Sequence, residues 1–408
     1  MDAPKQRKPA VGFIFITLVL LIVGIGIIIP VLPGLITQFK GGSVAEGARS
    51  YGWLVAVYAT MQFIAAPILG SLSDRYGRRR VILVALAGYA TDYLLMAWAP
   101  TLRWLFVARM ISGITAGALA ACNAYIADVT APEKRAQAYG LLGAAFGVGF
   151  VIGPAIGGLL GQYGLRVPFF GAAVIVAGNW LYGFIVLPES LALENRRPFS
   201  WKRANPVGSL LALGKFRGVV DLAWMYFITN LAQTMLQNVW VLYTGYRYHW
   251  TTLQEGLSLT YVGVMTAVVQ GGLMKRIIAL MGERKALVLG LVTSAVVMVG
   301  YGTATQGWMV YALIVLGSLG GIAGPAAQAL ITKHVPPNEQ GALQGSLSGL
   351  LSLSYIIGPF LAAWSFGYFL ETVPGIAFYE ASALLLLGLG LAFRSFKIDD
   401  RLSAKASA

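Results

Sequence analysis

Long apolar runs alternate with short polar segments along the chain, and this alternation predicts its secondary structure. Runs of about 20 residues, long enough to cross a bilayer as helices, fall near residues 10 to 37, 51 to 72, 80 to 98, 101 to 129, 135 to 163 and 167 to 187. After a polar stretch, six more fall near residues 218 to 245, 253 to 280, 284 to 304, 307 to 334, 339 to 368 and 374 to 396. The pattern predicts an all-α polytopic membrane protein with 12 transmembrane helices.

The two groups of six spans repeat each other in sequence. The segment PEKRAQAYG, which begins at residue 132, recurs 205 residues later as PNEQGALQG, and Gly153-Pro154 recurs at the same offset as Gly358-Pro359. Parallel repeats predict two pseudo-symmetric six-helix bundles with a substrate path between them. We expect an N-terminal bundle over residues 1–187, a basic cytoplasmic linker over 188–217, and a C-terminal bundle with a short tail over 218–408.

Composition and charge exclude a soluble protein. Hydrophobic residues make up 57% of the chain and charged residues only 11%, whereas soluble proteins have about 25% charged residues. The net charge of +14 is unevenly distributed, because 24 of the 30 Lys and Arg residues lie in segments on one side of the predicted spans. The positive-inside rule places that side in the cytoplasm. We therefore expect a protein of the inner cell membrane with both termini in the cytoplasm. We expect no nucleic-acid partner.

Between the second and third predicted spans lies a loop of glycines and charges that reads GSLSDRYGRRR from residue 70. Gly70 and Gly77 permit a tight turn and close packing, and Arg75 and Arg78 keep the loop out of hydrocarbon. The pattern resembles the signature loop of the major facilitator superfamily of transporters, in which the acid at the place of Asp74 lies near the positive end of another helix. A basic loop that only sets topology is the alternative.

A second acid, Asp128, ends the fourth predicted span on the same side as the loop. We expect Asp128 to form a salt-bridge cluster with Asp74 and the loop arginines, and this cluster would act as a gate latch. The alternative is a solvated acid at a helix end.

The fifth predicted span contains closely spaced small residues. Gly149, Gly153 and Gly157 recur at a spacing of four, with Pro154 and Gly158 beside them. One helix face is thus bare backbone, so a neighbouring helix can pack very close. The segment resembles the antiporter motif of the drug-efflux branch of the superfamily, and a plain packing seam explains the glycines equally well.

Two charges are predicted at similar depth inside the membrane. Asp92 lies eight residues before the short turn near position 100, and Arg109 lies nine after it. Charges in hydrocarbon are costly and indicate function by default. We consider two roles for Asp92, either proton coupling or a structural ion pair with Arg109 that ties the third span to the fourth.

Uncharged polar side chains within the spans are candidates for lining a substrate cavity, although amides also hold helices together. Four of them recur at helical spacing in the seventh span. The set comprises Tyr58, Gln62, Asn123, Asn230, Gln233, Gln237, Asn238, Gln270 and Gln328.

The chain also resembles the bacterial tetracycline-resistance efflux proteins, over nearly its whole length. The likeness includes GIGIIIPVLPG from residue 24, TDY from residue 91 and AYIAD from residue 124. It implies export of a drug in exchange for protons, the drug being chelated to a divalent cation in that family. The tetracycline carriers have an acid in the first span, a histidine in the eighth and an acid in the ninth. The corresponding residues here are Leu21, Thr266 and Ser294. We therefore expect a neutral or amphipathic substrate.

The preferred functional hypothesis is a secondary active transporter that exports amphipathic small molecules by proton exchange and alternating access. A uniporter or importer of a polar solute such as a sugar is one alternative, and a channel or receptor without turnover is another. No metal-ligand spacing and no phosphate-binding loop is present in the sequence. We therefore expect that the protein is not an enzyme and has no cofactor and no metal site. We also expect a monomer.

Overall fold

The structure is a computed structural model and describes residues 11–117, 119–131, 134–199, 219–336 and 339–406. The N-terminal cations Lys5, Arg7 and Lys8 lie outside the described residues, and so does the predicted linker from residue 200 onward.

Fifteen α-helices, with no strand, make up almost all of the described residues. They are α1 (Val11–Ile28), α2 (Leu32–Phe39), α3 (Val44–Tyr76), α4 (Arg78–Trp98), α5 (Leu102–Ala116), α6 (Leu119–Val129), α7 (Arg135–Gly161), α8 (Val167–Val186), α9 (Val220–Tyr248), α10 (Thr252–Val268), α11 (Met274–Thr303), α12 (Gly307–Gly320), α13 (Ala323–Lys333), α14 (Gln340–Phe369) and α15 (Ile376–Ala406). Short breaks divide the first, fourth and tenth predicted spans into α1 and α2, α5 and α6, and α12 and α13.

Ten helical stretches in the described part of the chain are long and apolar enough to cross a membrane. One of them, Thr252–Thr303, has 52 residues and contains two spans, because Gly282 leaves the helical conformation with φ 77°. The 29-residue helix α9 is not among the ten, since its amide side chains lower its mean hydropathy. Counting α9 and both parts of the long stretch gives the predicted twelve spans, so the predicted fold class is confirmed.

The chain divides into two compact units. The first comprises Met1–Gly42, Val57–Pro206 and Trp250–Gly263, and the second comprises Ser43–Ala56, Val207–His249 and Val264–Ala408. The boundary between the units therefore divides two helices. The beginning of α3 belongs to the second unit and its remainder to the first, whereas the beginning of α10 belongs to the first unit and its remainder to the second.

Helices pair in the same way within each unit. In the first unit α1 packs against α7 and α8, and α4 packs against α5 and α8. In the second unit α9 packs against α14 and α15, and α11 packs against α12 and α15. The sequence repeat is thus matched by a repeat of helix packing.

Candidate functional site

A salt bridge between α4 and α5 lies in the apolar interior of the first unit. Arg109 Nη2 donates a hydrogen bond to Asp92 Oδ2 over 2.9 Å. The two residues are only 6% and 0% exposed, respectively. Charges this deeply buried are tolerated only when they are paired, which accounts for the presence of both. The structure shows this ion pair, and the role of Asp92 in proton coupling stays a prediction.

Aromatic and thioether groups surround the buried pair. The guanidinium carbon of Arg109 lies 5.4 Å from the centre of the Tyr58 ring, and Arg109 Nη2 lies 3.2 Å from Met96 Sδ. Tyr89 and Tyr93 on α4 are buried as well. Such groups exclude water, so the attraction between the two charges is stronger than it would be at a surface.

The predicted loop between α3 and α4 is centred on one arginine. The Arg78 guanidinium donates to Asp74 through Nη1 and to Asp128 Oδ2 through Nε over 3.1 Å. Arg78 is only 8% exposed. We call Asp74, Arg78, Asp128 and Glu189 the Arg78 cluster. The structure therefore brings Asp74 and Asp128 together through Arg78, as the sequence predicts.

Glu189, which the sequence analysis did not select, completes the Arg78 cluster. Its Oε1 accepts a hydrogen bond from the Arg78 backbone N–H over 2.8 Å and thus caps the first turn of α4. The same oxygen accepts from the amides of Ser190 and Leu191 over 3.1 Å each. An anion at a helix N-terminus is stabilised by the unpaired N–H groups and the helix dipole. The only signal in the sequence is an acid directly after the sixth span.

Gly77 makes this capping contact possible. It has φ 99°, a conformation that favours glycine, and a Cβ at this position would lie 2.2 Å from Glu189 Oε2. Arg75, in contrast, lies 5.1 Å above the ring of Tyr76 and not in the Arg78 cluster. A Cβ on Gly70 would make only an ordinary contact with Ala120.

The second unit contains an equivalent of the Arg78–Asp128 pair with reversed charges. Gly282, 205 residues after Gly77, also has positive φ. The next residue, Glu283, forms an ion pair with Lys333, and these positions are again 205 residues after Arg78 and Asp128. The geometry of the pair is therefore repeated, whereas the sign of each charge is exchanged.

The small residues of α7 pack against two different helices. A Cβ on Gly149, Gly153 or Gly157 would lie 2.0 to 2.7 Å from the nearest atom of α1, which is a backbone atom for Gly153 and Gly157. Gly158 faces α10 instead, where its Cβ would lie 2.7 Å from Thr252 O and 3.1 Å from the Gly256 Cα. Pro154 lies between these contacts, with its Cδ 3.0 Å from a Cβ placed on Gly26. The structure thus shows close packing on both sides, and the antiporter role of this motif stays a prediction.

The amide candidates fall into two groups. Asn230 and Asn238 donate to backbone carbonyls of their own helix, at Tyr226 and Thr234, over 2.7 and 2.8 Å. The Asn238 Oδ1 also accepts from the Tyr51 hydroxyl over 3.3 Å. Exposed side chains form the other group, which comprises Asn123, Gln233, Gln237, Gln270 and Gln328, while Tyr58 and Gln62 are partly exposed. Gln328 pairs with Gln344, a residue that the sequence analysis did not select, over 3.1 Å.

Of the positions that lack the acids and the histidine of the tetracycline carriers, Leu21 is buried, whereas Thr266 and Ser294 are partly exposed. Leu21 is 5% exposed, and Ser294 Oγ lies only 2.1 Å from a Cβ placed on Gly320. No group of three or more His, Cys, Asp or Glu side chains suited to a metal ion occurs within the described ranges.

Comparison with known proteins identifies the family. The family model of the Major Facilitator Superfamily matches residues 14–359 and 222–408. The class C tetracycline resistance protein of Escherichia coli is 40% identical over 368 residues, which are 90% of this chain and 92% of that protein. The class D protein of Salmonella ordonez is 38% identical over 395 residues, 95% of this chain and 98% of that protein.

A solved structure supports the same assignment. The human organic anion transporter MFSD10 superimposes with a TM-score of 0.70 and 25% identity, over 94% of this chain and 98% of that one. The chain therefore belongs to the Major Facilitator Superfamily and is a multi-pass membrane transporter. The predicted family and its likeness to the tetracycline resistance proteins are confirmed.

The contact between α7 and α1 yields a test of packing. Gly157→Val should destabilise the protein by about 1–3 kcal/mol, because the new side chain would meet the Ile27 carbonyl, which lies 2.0 Å from the Cβ position. Gly147→Val is the matched control on the same helix, since nothing lies within 4 Å of its Cβ position. Thermal unfolding in detergent measures both, and equal unfolding temperatures would contradict the close contact.

The cap on α4 yields a second test. Glu189→Ala should destabilise the protein by about 1 kcal/mol and speed hydrogen exchange at the start of α4, because the Arg78 N–H loses its acceptor. Glu194→Ala, which removes an exposed acid from the same segment, should change neither quantity. Unchanged exchange at Arg78 in the Glu189 variant, read by mass spectrometry, would show that the cap is unimportant.

Proposed function

We propose that this member of the Major Facilitator Superfamily exports amphipathic, drug-like molecules in exchange for protons by alternating access. The observation that carries the proposal is the buried Asp92–Arg109 pair in a chain that is 40% identical to a tetracycline resistance protein. A proton gradient needs a group that takes up and releases a proton inside the membrane. Among the described acids of the first unit, Asp92 is the least exposed, at 0%.

Coupling would operate through the pairing of Arg109. When Asp92 is ionised, the salt bridge holds α4 to α5. When Asp92 takes up a proton, it loses its charge, and Arg109 then lacks a counterion in a dry environment. An uncompensated buried charge is strongly unfavourable, so protonation favours a rearrangement that rehydrates Arg109 or gives it another partner. This links proton uptake to a change of conformation.

The Arg78 cluster would act as the latch of this cycle on the cytoplasmic side. Arg78 already holds the end of α3, the start of α4 and the end of α6 through Asp74, its own backbone and Asp128. Three helix ends meet at one side chain, so a movement of any of them changes the same set of ion pairs. We assign the latch to Asp74, Arg78 and Asp128, with Glu189 as the cap that positions it.

The substrate would be neutral or amphipathic and not a chelate of a divalent cation. Leu21 and Ser294 provide no carboxylate that could hold a cation. The exposed amides Gln233 and Gln237 offer donors and acceptors without charge. Among the relatives, the names of the tetracycline resistance proteins make tetracycline the first compound to test.

We further propose that the protein is a monomer with both termini in the cytoplasm and catalyses no covalent reaction. The moving bodies would be the two sequence repeats, residues 1–187 and 218–408, joined by the basic linker over 188–217.

Inverted membrane vesicles test the direction and the coupling. With an acidic lumen, vesicles that contain the protein should accumulate chloramphenicol or tetracycline above the level of vesicles without it, and collapse of the pH gradient should abolish the gain. Tetracycline uptake should be the same with Mg²⁺ and with EDTA if no chelate is needed. Accumulation only with an alkaline lumen would favour an importer, and saturable counterflow would exclude a channel or receptor.

Asp92→Asn tests the proposed coupling residue. Uptake against the concentration gradient should fall to the level of vesicles without protein, because the amide cannot cycle a proton, while counterflow of the same drug should persist. Asp400→Asn removes an acid that is 68% exposed and should leave uphill uptake intact. If Asp92→Asn still accumulates drug in response to the pH gradient, another group carries the proton.

A further inference from the structure

The last helix is longer than a membrane span. An α-helix rises about 1.5 Å per residue, so the 31 residues of α15 extend about 46 Å, whereas the hydrocarbon core of a bilayer is about 30 Å thick. The apolar run of α15 ends at Phe393, which Arg394 follows. The residues from Arg394 onward therefore lie at the level of the lipid headgroups or beyond.

Acids on one side of this extension are held by the protein itself. Arg284 donates to Asp400 Oδ1 over 2.6 Å and to Asp399 Oδ2 over 3.2 Å. His334 Nε2 lies 3.2 Å from Asp399 Oδ1, and Arg284 also lies 5.0 Å above the ring of Phe396. These contacts fix which side of α15 turns toward α11 and α13.

The adjoining side of α15 continues the surface that faces lipid. Leu386 and Phe393 are 55% and 51% exposed, as expected for side chains in contact with acyl chains. Lys397 and Arg401, which are also exposed, follow Phe393 at intervals of four residues and so lie on the same helix face. Two cations thus follow directly after the apolar residues on this face of α15.

From this continuity we infer that Lys397 and Arg401 form a binding surface for anionic phospholipid headgroups, with Phe393 and Ile398 in contact with the adjoining acyl chains. We call these four residues the α15 surface. The phosphate would lie between the two cations, where their donors replace its water. The long side chains reach the headgroup level while their aliphatic parts remain against the bilayer. Asp400 lies one turn from Lys397, but Arg284 neutralises it, and Asp399 is held by Arg284 and His334.

The test measures lipid-dependent stability of the full-length protein. In dodecylmaltoside micelles, added phosphatidylglycerol should raise the unfolding temperature more than added phosphatidylcholine, because a ligand that binds the native state stabilises it. In Lys397→Gln/Arg401→Gln the apparent affinity for phosphatidylglycerol should fall on the order of tenfold. Higher salt should reduce the difference between the two lipids in the wild type.

Two control variants separate this surface from a general effect of charge. Arg103→Gln/Arg247→Gln removes two other exposed cations and should keep the full response to phosphatidylglycerol. Lys397→Arg/Arg401→Lys should keep it as well, which would show that the surface tolerates substitution when charge is retained. The inference is overturned if the Gln double variant responds to phosphatidylglycerol like the wild type. It is also overturned if inorganic phosphate stabilises the wild type as much as the lipid does.

Discussion

Hydrocarbon offers no partner to a charge, and this constraint explains where the charges of the protein lie. Asp92 and Arg109 enter the apolar interior only as a pair. Ion pairs such as Arg78–Asp128, Glu283–Lys333 and Arg394–Asp221 lie instead at or near the ends of the apolar runs. Protonation of Asp92 would therefore leave Arg109 without its carboxylate partner. The ionisation of Asp92 and the packing of α4 against α5 are linked, because both side chains are buried and neither can exchange its partner for water where it lies.

The reversed ion pair of the second unit shows what the repeat conserves. A glycine with positive φ precedes the third membrane span of each repeat, and the residue after it pairs with the end of the fourth span, as Arg78–Asp128 or Glu283–Lys333. Coulomb attraction depends on the product of the two charges, so exchanging both signs preserves the bond. The repeat therefore preserves the attraction at this place, while the sign of each charge is exchanged.

The alternation of apolar runs and polar segments predicted twelve spans, because the cost of transfer into a bilayer is a property of each residue and adds along a window, although the amides of α9 lower its mean hydropathy. The Asp92–Arg109 pair was also predictable, since a short turn brings antiparallel helices to matching depths. Glu189 was not predictable in this way, because its partner Arg78 is 111 residues away and only the packed helices bring them together. The excess length of α15 was missed for a related reason, as Arg284 and His334 hold its polar end from other helices.

Close backbone contact limits how α10 can move. The beginning of α10 packs in the first unit against Gly158 through Thr252 and Gly256, at distances where any side chain would collide. The remainder of α10, from Val264 onward, belongs to the second unit. A π-helical stretch at Val269–Leu273 follows this division, and such stretches interrupt the regular hydrogen bonds of a helix. The backbone contact fixes one end of the span while the irregular stretch leaves the other end easier to bend, so we expect a change of conformation in this span to occur after residue 263.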